Sequence, residues 1–146
     1  MTLTHEQRRA IDQREVSVAL SAGAGCGKTR VLTERFLWEL APQCPDERGP
    51  AQLNQLVAIT FTERAAREMR DRIRSHCHDR VLQCDAQEAS HWLGLLRELD
   101  TARISTIHSY CASLLRGHAV QSGVDPQFEV LLEFESQTLL SAVRQQ

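Results

Sequence analysis

The segment Val16-Ser17-Val18-Ala19-Leu20-Ser21-Ala22-Gly23-Ala24-Gly25-Cys26-Gly27-Lys28-Thr29 constrains this chain more than any other. A short β-prone run enters a glycine-rich turn, and helical spacing resumes at Lys28 with Val31, Leu32, Arg35, Phe36 and Leu40. Strand, glycine loop and helix in that order form a context in which main-chain N–H groups turn inward beside a helix N-terminus. Lys28 is also the only lysine in the chain; arginine carries the positive charge everywhere else. A guanidinium is a wide planar fork, whereas an ammonium is a compact point charge that fits between two phosphates. A chain that avoids lysine and places one here points to a phosphate site.

The general phosphate-loop pattern is Gly-x-x-x-x-Gly-Lys-Ser/Thr. Gly27, Lys28 and Thr29 fit it, while Ala22 takes the first glycine position. Gly23 and Gly25 still supply conformational freedom. In this reading the N–H groups from Gly23 to Thr29, including those of Ala24 and Cys26, face the phosphates of a nucleotide. Lys28 bridges the β- and γ-phosphates, and Thr29 ligates Mg²⁺. Cys26, beside a helix N-terminus that favours a thiolate, reads as a small residue tolerated in the loop rather than a redox group.

The rest of the chain alternates helices and strands. Thr4 to about Arg14 reads as a helix opened by a Thr4/Gln7 capping box. Ala41 to Gln52, with three prolines and a glycine, is a loop. Leu56-Val57-Ala58-Ile59 suits a strand buried on both faces. Thr62 to about Leu82 is a helix with the stripe Ala65, Ala66, Met69, Ile73 and Cys77. Ala86 to Leu99 is another helix, and Ala102 to Thr106 a third strand. Ile107, Tyr110, Cys111, Leu114, Leu115, His118 and Ala119 form one helical stripe, with His118 a core histidine. Glu133 to Gln146 is helical with no C-cap, so the expectation is a domain truncated at its C-terminal end. Alternating strands and helices give an α/β class with a parallel sheet and flanking helices.

Composition removes several classes. The net charge of −2 leaves no global basic field for nucleic acid, so any such contact is local. Five irregularly spaced cysteines read as reduced thiols of a cytoplasmic protein. The polar start and the lack of a long apolar run leave no signal core and no membrane span.

Four motifs in order carry a resemblance: Leu3-Thr4-His5-Glu6-Gln7, Ser21 to Thr29, Ile59-Thr60-Phe61-Thr62-Glu63-Arg64-Ala65-Ala66-Arg67-Glu68-Met69, and Ser105-Thr106-Ile107-His108-Ser109-Tyr110-Cys111. Together they resemble the N-terminal part of UvrD-like superfamily 1 DNA helicases, in which alanine at position 22 is usual. Glu63 and the stretch Ser122 to Leu131 look more like the AddA/RecB helicase–nuclease branch. The resemblance covers nearly all of residues 1–146 and implies part of a RecA-like P-loop NTPase domain, with ATP and Mg²⁺ as cofactors. The partners it implies are single-stranded DNA, the rest of the helicase chain and a helicase–nuclease partner subunit.

The resemblance also implies residue roles. Gln7 would read the adenine edge through its amide, alongside the capping-box reading; both can hold. Arg30 would lie near the base or ribose, or be a solvated arginine at a helix start. Thr60, Phe61 and Thr62 would contact single-stranded DNA, with Phe61 stacking a base. Read without the resemblance, Phe61 is core, and Thr60 with Glu63 is a capping box. His108 and Ser109 are assigned to DNA contact on the same ground.

Other signals are discounted. Arg64, Arg67, Arg70, Arg72, Arg74 and Arg80 are interleaved with Glu63, Glu68, Asp71 and Asp79, so they read as a solvated face of i,i+4 pairs rather than a phosphate track. His76, Cys77, His78, Cys84 and His91 match no common zinc spacing. Val130 to Glu135 lacks the aspartate that ends an ATPase acidic strand, so a helical start is expected there.

Phosphoryl transfer needs an acid on Mg²⁺, a group that orients water and an arginine for transition-state charge. The motifs supply none of these, so the piece alone is expected to be inactive. Two other readings stand beside it: a small P-loop kinase or compact NTPase, and a non-catalytic nucleotide-binding remnant.

Overall fold

A computed structural model of the chain describes residues 3–13, 16–21, 23, 25–42, 49–131 and 133–144. Ala22 and Ala24 of the glycine loop lie outside the described residues, as do Arg14 at the expected helix end, positions 43–48 of the proline-rich connection and the last two residues. The chain divides into two units, Met1–Thr106 and Ile107–Gln146.

In the first unit, α1 (His5–Asp12) opens on the expected capping box. The Gln7 N–H donates to Thr4 Oγ1 at 3.3 Å, and the Thr4 N–H donates to Gln7 Oε1 at 3.0 Å. α2 (Lys28–Leu40) packs on α1 through a small core of Ala10, Ile11 and Val31, joined by Leu3, Val18 and Leu20. Arg35 Nη1 donates to the Ala10 carbonyl at 3.0 Å and pins the two helices together. Val16 to Leu20 corrects one expectation: the run lends Val18 and Leu20 to this core at the alternating spacing of an extended chain, but it is not a strand. A strand is defined by a paired ladder, and this segment has none among the described residues.

A 3-10 turn at Leu53–Gln55 leads into β1 (Val57–Thr60). The chain then makes α3 (Glu63–Gln83), α4 (Ala86–Glu98), a second 3-10 turn at Leu99–Thr101 and β2 (Arg103–Thr106). β2 lies parallel to β1, with Ala58 opposite Ile104 and Thr60 opposite Thr106. The result is an α/β unit with a two-stranded parallel sheet and flanking helices. The main core joins Phe36, Leu37 and Leu40 of α2 to Met69, Ile73 and Cys77 of α3, with Trp92, Ala58 and Ile104. Leu40, Met69, Ile73 and Ile104 are sealed from solvent, each worth about 1.5–3 kcal/mol of burial.

The sheet itself is covered on one face. Ala58 is buried, but Val57 is 42% exposed and Ile59 43%, so β1 alternates instead of being buried on both sides. An apolar run in sequence records that a strand can be covered twice; it does not say which elements do the covering.

The second unit holds α5 (Ile107–Gly117), α6 (Ala119–Ser122) and α7 (Glu133–Arg144). The stripe expected to run unbroken through Ala119 is interrupted at His118, which leaves the helical region at φ −119°, ψ 26°. Gly117, a weak helix former, makes the break inexpensive. His118 is exposed, with Nδ1 3.1 Å from Gln121 Oε1, and is not the core histidine its spacing predicts. Further on, the Arg116 guanidinium lies 4.8 Å over the Phe128 ring, and Nη2 donates to the Phe128 carbonyl at 3.1 Å.

Candidate functional site

The glycine loop owes its shape to two backbone positions. Gly25 has φ 79° and Gly27 φ 77°, a left-handed region where any other L-residue costs about 1–2 kcal/mol. Gly27 is also the N-cap of α2, and no side chain caps it. A helix leaves its first four N–H groups without intrahelical partners, at the positive end of its dipole. An uncapped N-terminus reached through a left-handed glycine is therefore suited to an anion.

Lys28 Nζ donates to the Gly23 carbonyl at 2.6 Å, so the side chain closes Gly23 to Lys28 into a ring. The ammonium is thus held on the loop, where phosphate oxygens can replace a carbonyl as its acceptor. Thr29 is half-buried in the first turn of α2, and its carbonyl accepts from Thr33 Oγ1 at 2.8 Å. Arg30 Nε lies 3.9 Å from Glu34 Oε1, a half-buried i,i+4 pair. Gln7 comes to the same place from α1: its Nε2 donates to the Cys26 carbonyl at 3.1 Å. The structure therefore brings Gln7, Gly23, Gly25, Cys26, Gly27, Lys28, Thr29 and Arg30 together. Beside them a cleft of about 430 Å³ is bordered by Ala10, Val18, Leu20, Lys28, Val31 and Arg35.

A larger groove of about 720 Å³ lies elsewhere in this unit, lined by Gln52, Asn54, His91, Gly94 and Glu98. It sits by the two 3-10 turns, at the amino ends of β1 and β2. Ligands of open α/β sheets sit outside the carboxyl ends of the strands, so volume alone does not choose the site.

At the carboxyl ends, Thr60 Oγ1 donates to the Thr62 carbonyl at 3.0 Å, and Thr62 Oγ1 accepts from the Ala65 N–H at 3.1 Å. Thr62, not Thr60, is thus the cap of α3. Glu63, expected to complete a box, instead accepts from Thr106 Oγ1 at 2.9 Å. Sequence reading missed this contact because the two residues meet only through the parallel register that sets Thr60 opposite Thr106. Phe61 projects fully exposed at 104% of its reference area, which removes the core reading. In the second unit, His108 and Ser109 are exposed in the first turn of α5.

The arginine-rich α3 carries ion pairs, with Arg64–Glu68 at 3.0 Å, Arg74–Asp71 at 3.3 Å and Arg74–Asp100 at 2.9 Å. Arg70 is an exception to the solvated face: its Nη2 donates to the Ile104 carbonyl and ties α3 to β2. Two groups on α3 have shifted acidity. Burial, then the Arg80 charge, lowers the His76 pKa, and burial pushes the Cys77 thiol up to about 11. Among the described residues no cluster of three or more His, Cys, Asp or Glu is placed to hold a metal. No helix among them is long and apolar enough to cross a membrane.

A family model described as UvrD/REP helicase N-terminal domain matches residues 3–146. Among curated proteins, an ATP-dependent helicase/nuclease subunit from Natranaerobius thermophilus is 38% identical over 140 residues, covering 96% of this chain and 10% of its own length. The protein of the same description from Desulforamulus reducens is 39% identical over 139 residues, covering 93% and 10%. That from Lactobacillus delbrueckii subsp. bulgaricus is 40% identical over 131 residues, covering 89% and 10%. The chain spans about a tenth of the length of these relatives.

Proposed function

The chain belongs to the UvrD/REP helicase N-terminal domain family, and from that premise we propose that it is the ATP-binding, single-stranded-DNA-contacting N-terminal part of a RecA-like motor domain in an ATP-dependent DNA helicase of the AddA/RecB helicase–nuclease kind. One observation carries the reading: the chain's only lysine is held on a loop shaped by two left-handed glycines, directly before an uncapped helix N-terminus.

The residues present fit a polyphosphate. The Gly25–Thr29 backbone and the N-terminal end of α2 receive the negative charge. Lys28, whose ammonium is now on the Gly23 carbonyl, would give its N–H groups to phosphate oxygens, and Thr29 would hold Mg²⁺ through its hydroxyl. ATP supplies the anhydride whose hydrolysis drives movement, and Mg²⁺ neutralises the charge that develops on it. Gln7 and Arg30 serve the base and ribose. Ala22 and Ala24, outside the described residues, belong to the same proposed binding segment.

Thr60, Phe61, Thr62, His108 and Ser109 form the proposed single-stranded-DNA contacts. Phe61 supports this most directly, because a phenyl ring held fully in solvent on a capped turn gives a base something to stack on. In the longer protein, which works in the cytoplasm with a partner subunit, other segments supply the acid, the water-orienting group and the arginine that hydrolysis needs. This chain by itself binds ATP and does not turn it over.

Isothermal titration calorimetry with Mg·ATP tests the reading. Saturable, magnesium-dependent uptake is expected, with Lys28→Ala weakening it at least tenfold. No uptake by folded protein, or equal uptake by Lys28→Ala, overturns it. Turnover or phosphotransfer by the chain alone would favour a complete compact NTPase or kinase instead.

A further inference from the structure

Gln7 makes two hydrogen bonds that point in different directions along the chain. Its Oε1 accepts from the N–H of Thr4, the N-cap of α1, and its Nε2 crosses 19 positions to donate to the Cys26 carbonyl. The same Nε2 stands 3.4 Å from where a Cβ on Gly27 would be. Gln7 therefore holds the Cys26–Gly27 peptide at the residue whose left-handed turn launches α2. Its amide keeps one further N–H and one further lone pair, enough to meet an adenine edge as well.

We infer that Gln7 is a positioning residue for phosphate binding and not a base reader alone: by holding the Cys26 carbonyl it keeps the loop in the shape that turns the α2 N-terminus toward the anion. This rests on the phosphate-binding reading of the loop. It makes base recognition and phosphate grip two uses of one side chain, so the affinity for a phosphate chain with no base attached depends on Gln7.

Inorganic tripolyphosphate, which has no base, separates the two roles. Calorimetry compares tripolyphosphate and Mg·ATP on wild type, Gln7→Met, Thr4→Ala and Lys28→Ala. Gln7→Met loses the Cys26 contact, while Thr4→Ala weakens the cap of α1 and leaves that contact in place. Gln7→Met is expected to weaken tripolyphosphate about fivefold, the size of one loop-restraining hydrogen bond, and to speed amide hydrogen exchange at Gly27 and Thr29. Thr4→Ala is expected to leave both at wild-type values. Wild-type tripolyphosphate affinity in Gln7→Met, with only ATP weakened, overturns the inference and leaves Gln7 a base reader. An equal loss in Thr4→Ala also overturns it, since helix fraying would then be the cause. No tripolyphosphate or ATP uptake by wild type overturns the phosphate-site reading itself. Gln7→Leu, which also lacks the donor facing Cys26 and adds no charge beside the anion, answers the same question if Gln7→Met does not fold.

Discussion

Two loop glycines share nearly the same positive φ, so the conformational cost of the loop can be tested at two positions. Gly25 and Gly27 sit at φ 79° and 77°. Alanine at either forces an L-residue into the left-handed region, at about 1–2 kcal/mol. At Gly25 the added Cβ meets nothing within 4 Å, so that is the whole effect. At Gly27 it meets Gln7 Nε2 at 3.4 Å, and that amide is tied to Thr4 and Cys26. At that distance the contact is an ordinary van der Waals one, so the amide keeps both hydrogen bonds. Gly27→Ala and Gly25→Ala are therefore each expected to destabilise by about 1–2 kcal/mol. Gly94, inside α4 and also facing open space, is the control of opposite sign. Alanine there gains about 0.5–1 kcal/mol of helix propensity. Both tryptophans, Trp38 and Trp92, lie in the first unit, so their fluorescence follows its unfolding in urea without signal from the second. Heating should place Gly25→Ala roughly 3–8 °C below wild type in Tm. A Gly27→Ala variant markedly less stable than Gly25→Ala would refute the reading that the added Cβ leaves the Gln7 contact in place. A Gly94→Ala variant as unstable as Gly25→Ala would refute the conformational argument altogether.

Three further outcomes follow from single residues. Phe61→Ala is expected to weaken single-stranded DNA binding by about 1–3 kcal/mol per stacked base while leaving Tm unchanged, because the ring buries nothing; fluorescence anisotropy with a labelled oligonucleotide and a thermal melt check the two halves. Iodoacetamide near pH 8 is expected to label exposed Cys26 and Cys111 well before Cys77, which is buried and whose thiol is pushed up to about 11; peptide mapping that finds Cys77 labelled early in native protein contradicts the packing of α3. Burial holds the His76 pKa below its ordinary 6.5, so the folded state takes up that proton at a lower pH than the unfolded chain. Stability is then complete above 6.5 and falls as the pH drops through that value; urea titrations at about pH 7.5 and 5.5 should show a smaller loss in His76→Phe than in wild type.

The features legible in sequence were those set by neighbours in the chain. The Thr4/Gln7 box is a spacing of three residues, and it is present. The stripe Ala66, Met69, Ile73 and Cys77 is buried as its period requires, because a helix of this length keeps its face constant whatever packs on it. Val57 and Ile59 failed the same kind of reading, since burial of a strand depends on which elements cover each face of the sheet. His118 failed because helical periodicity assumes an unbroken helix, and Gly117 lets the chain leave it one residue earlier. Val18 and Leu20 show an intermediate case: alternation placed them correctly inward, but strand pairing needs a neighbour that spacing cannot name.

The same division runs through the candidate site. Gly25, Gly27 and Lys28 are recognisable from type and order because the loop's shape is a demand on φ and its charge a demand on one side chain. What holds that loop in place is not local. Gln7 reaches it across 19 positions, and Glu63 finds Thr106 across 43. Each of these contacts joins one motif to another: the first helix to the glycine loop, the start of α3 to the end of β2. Motifs widely separated in the chain are thus mechanically connected by side chains whose types are ordinary alone. Substitutions at Gln7 or Thr106 should therefore disturb a neighbouring motif more than their own, and a residue's distance in sequence from the loop is a poor guide to its influence on what the loop binds.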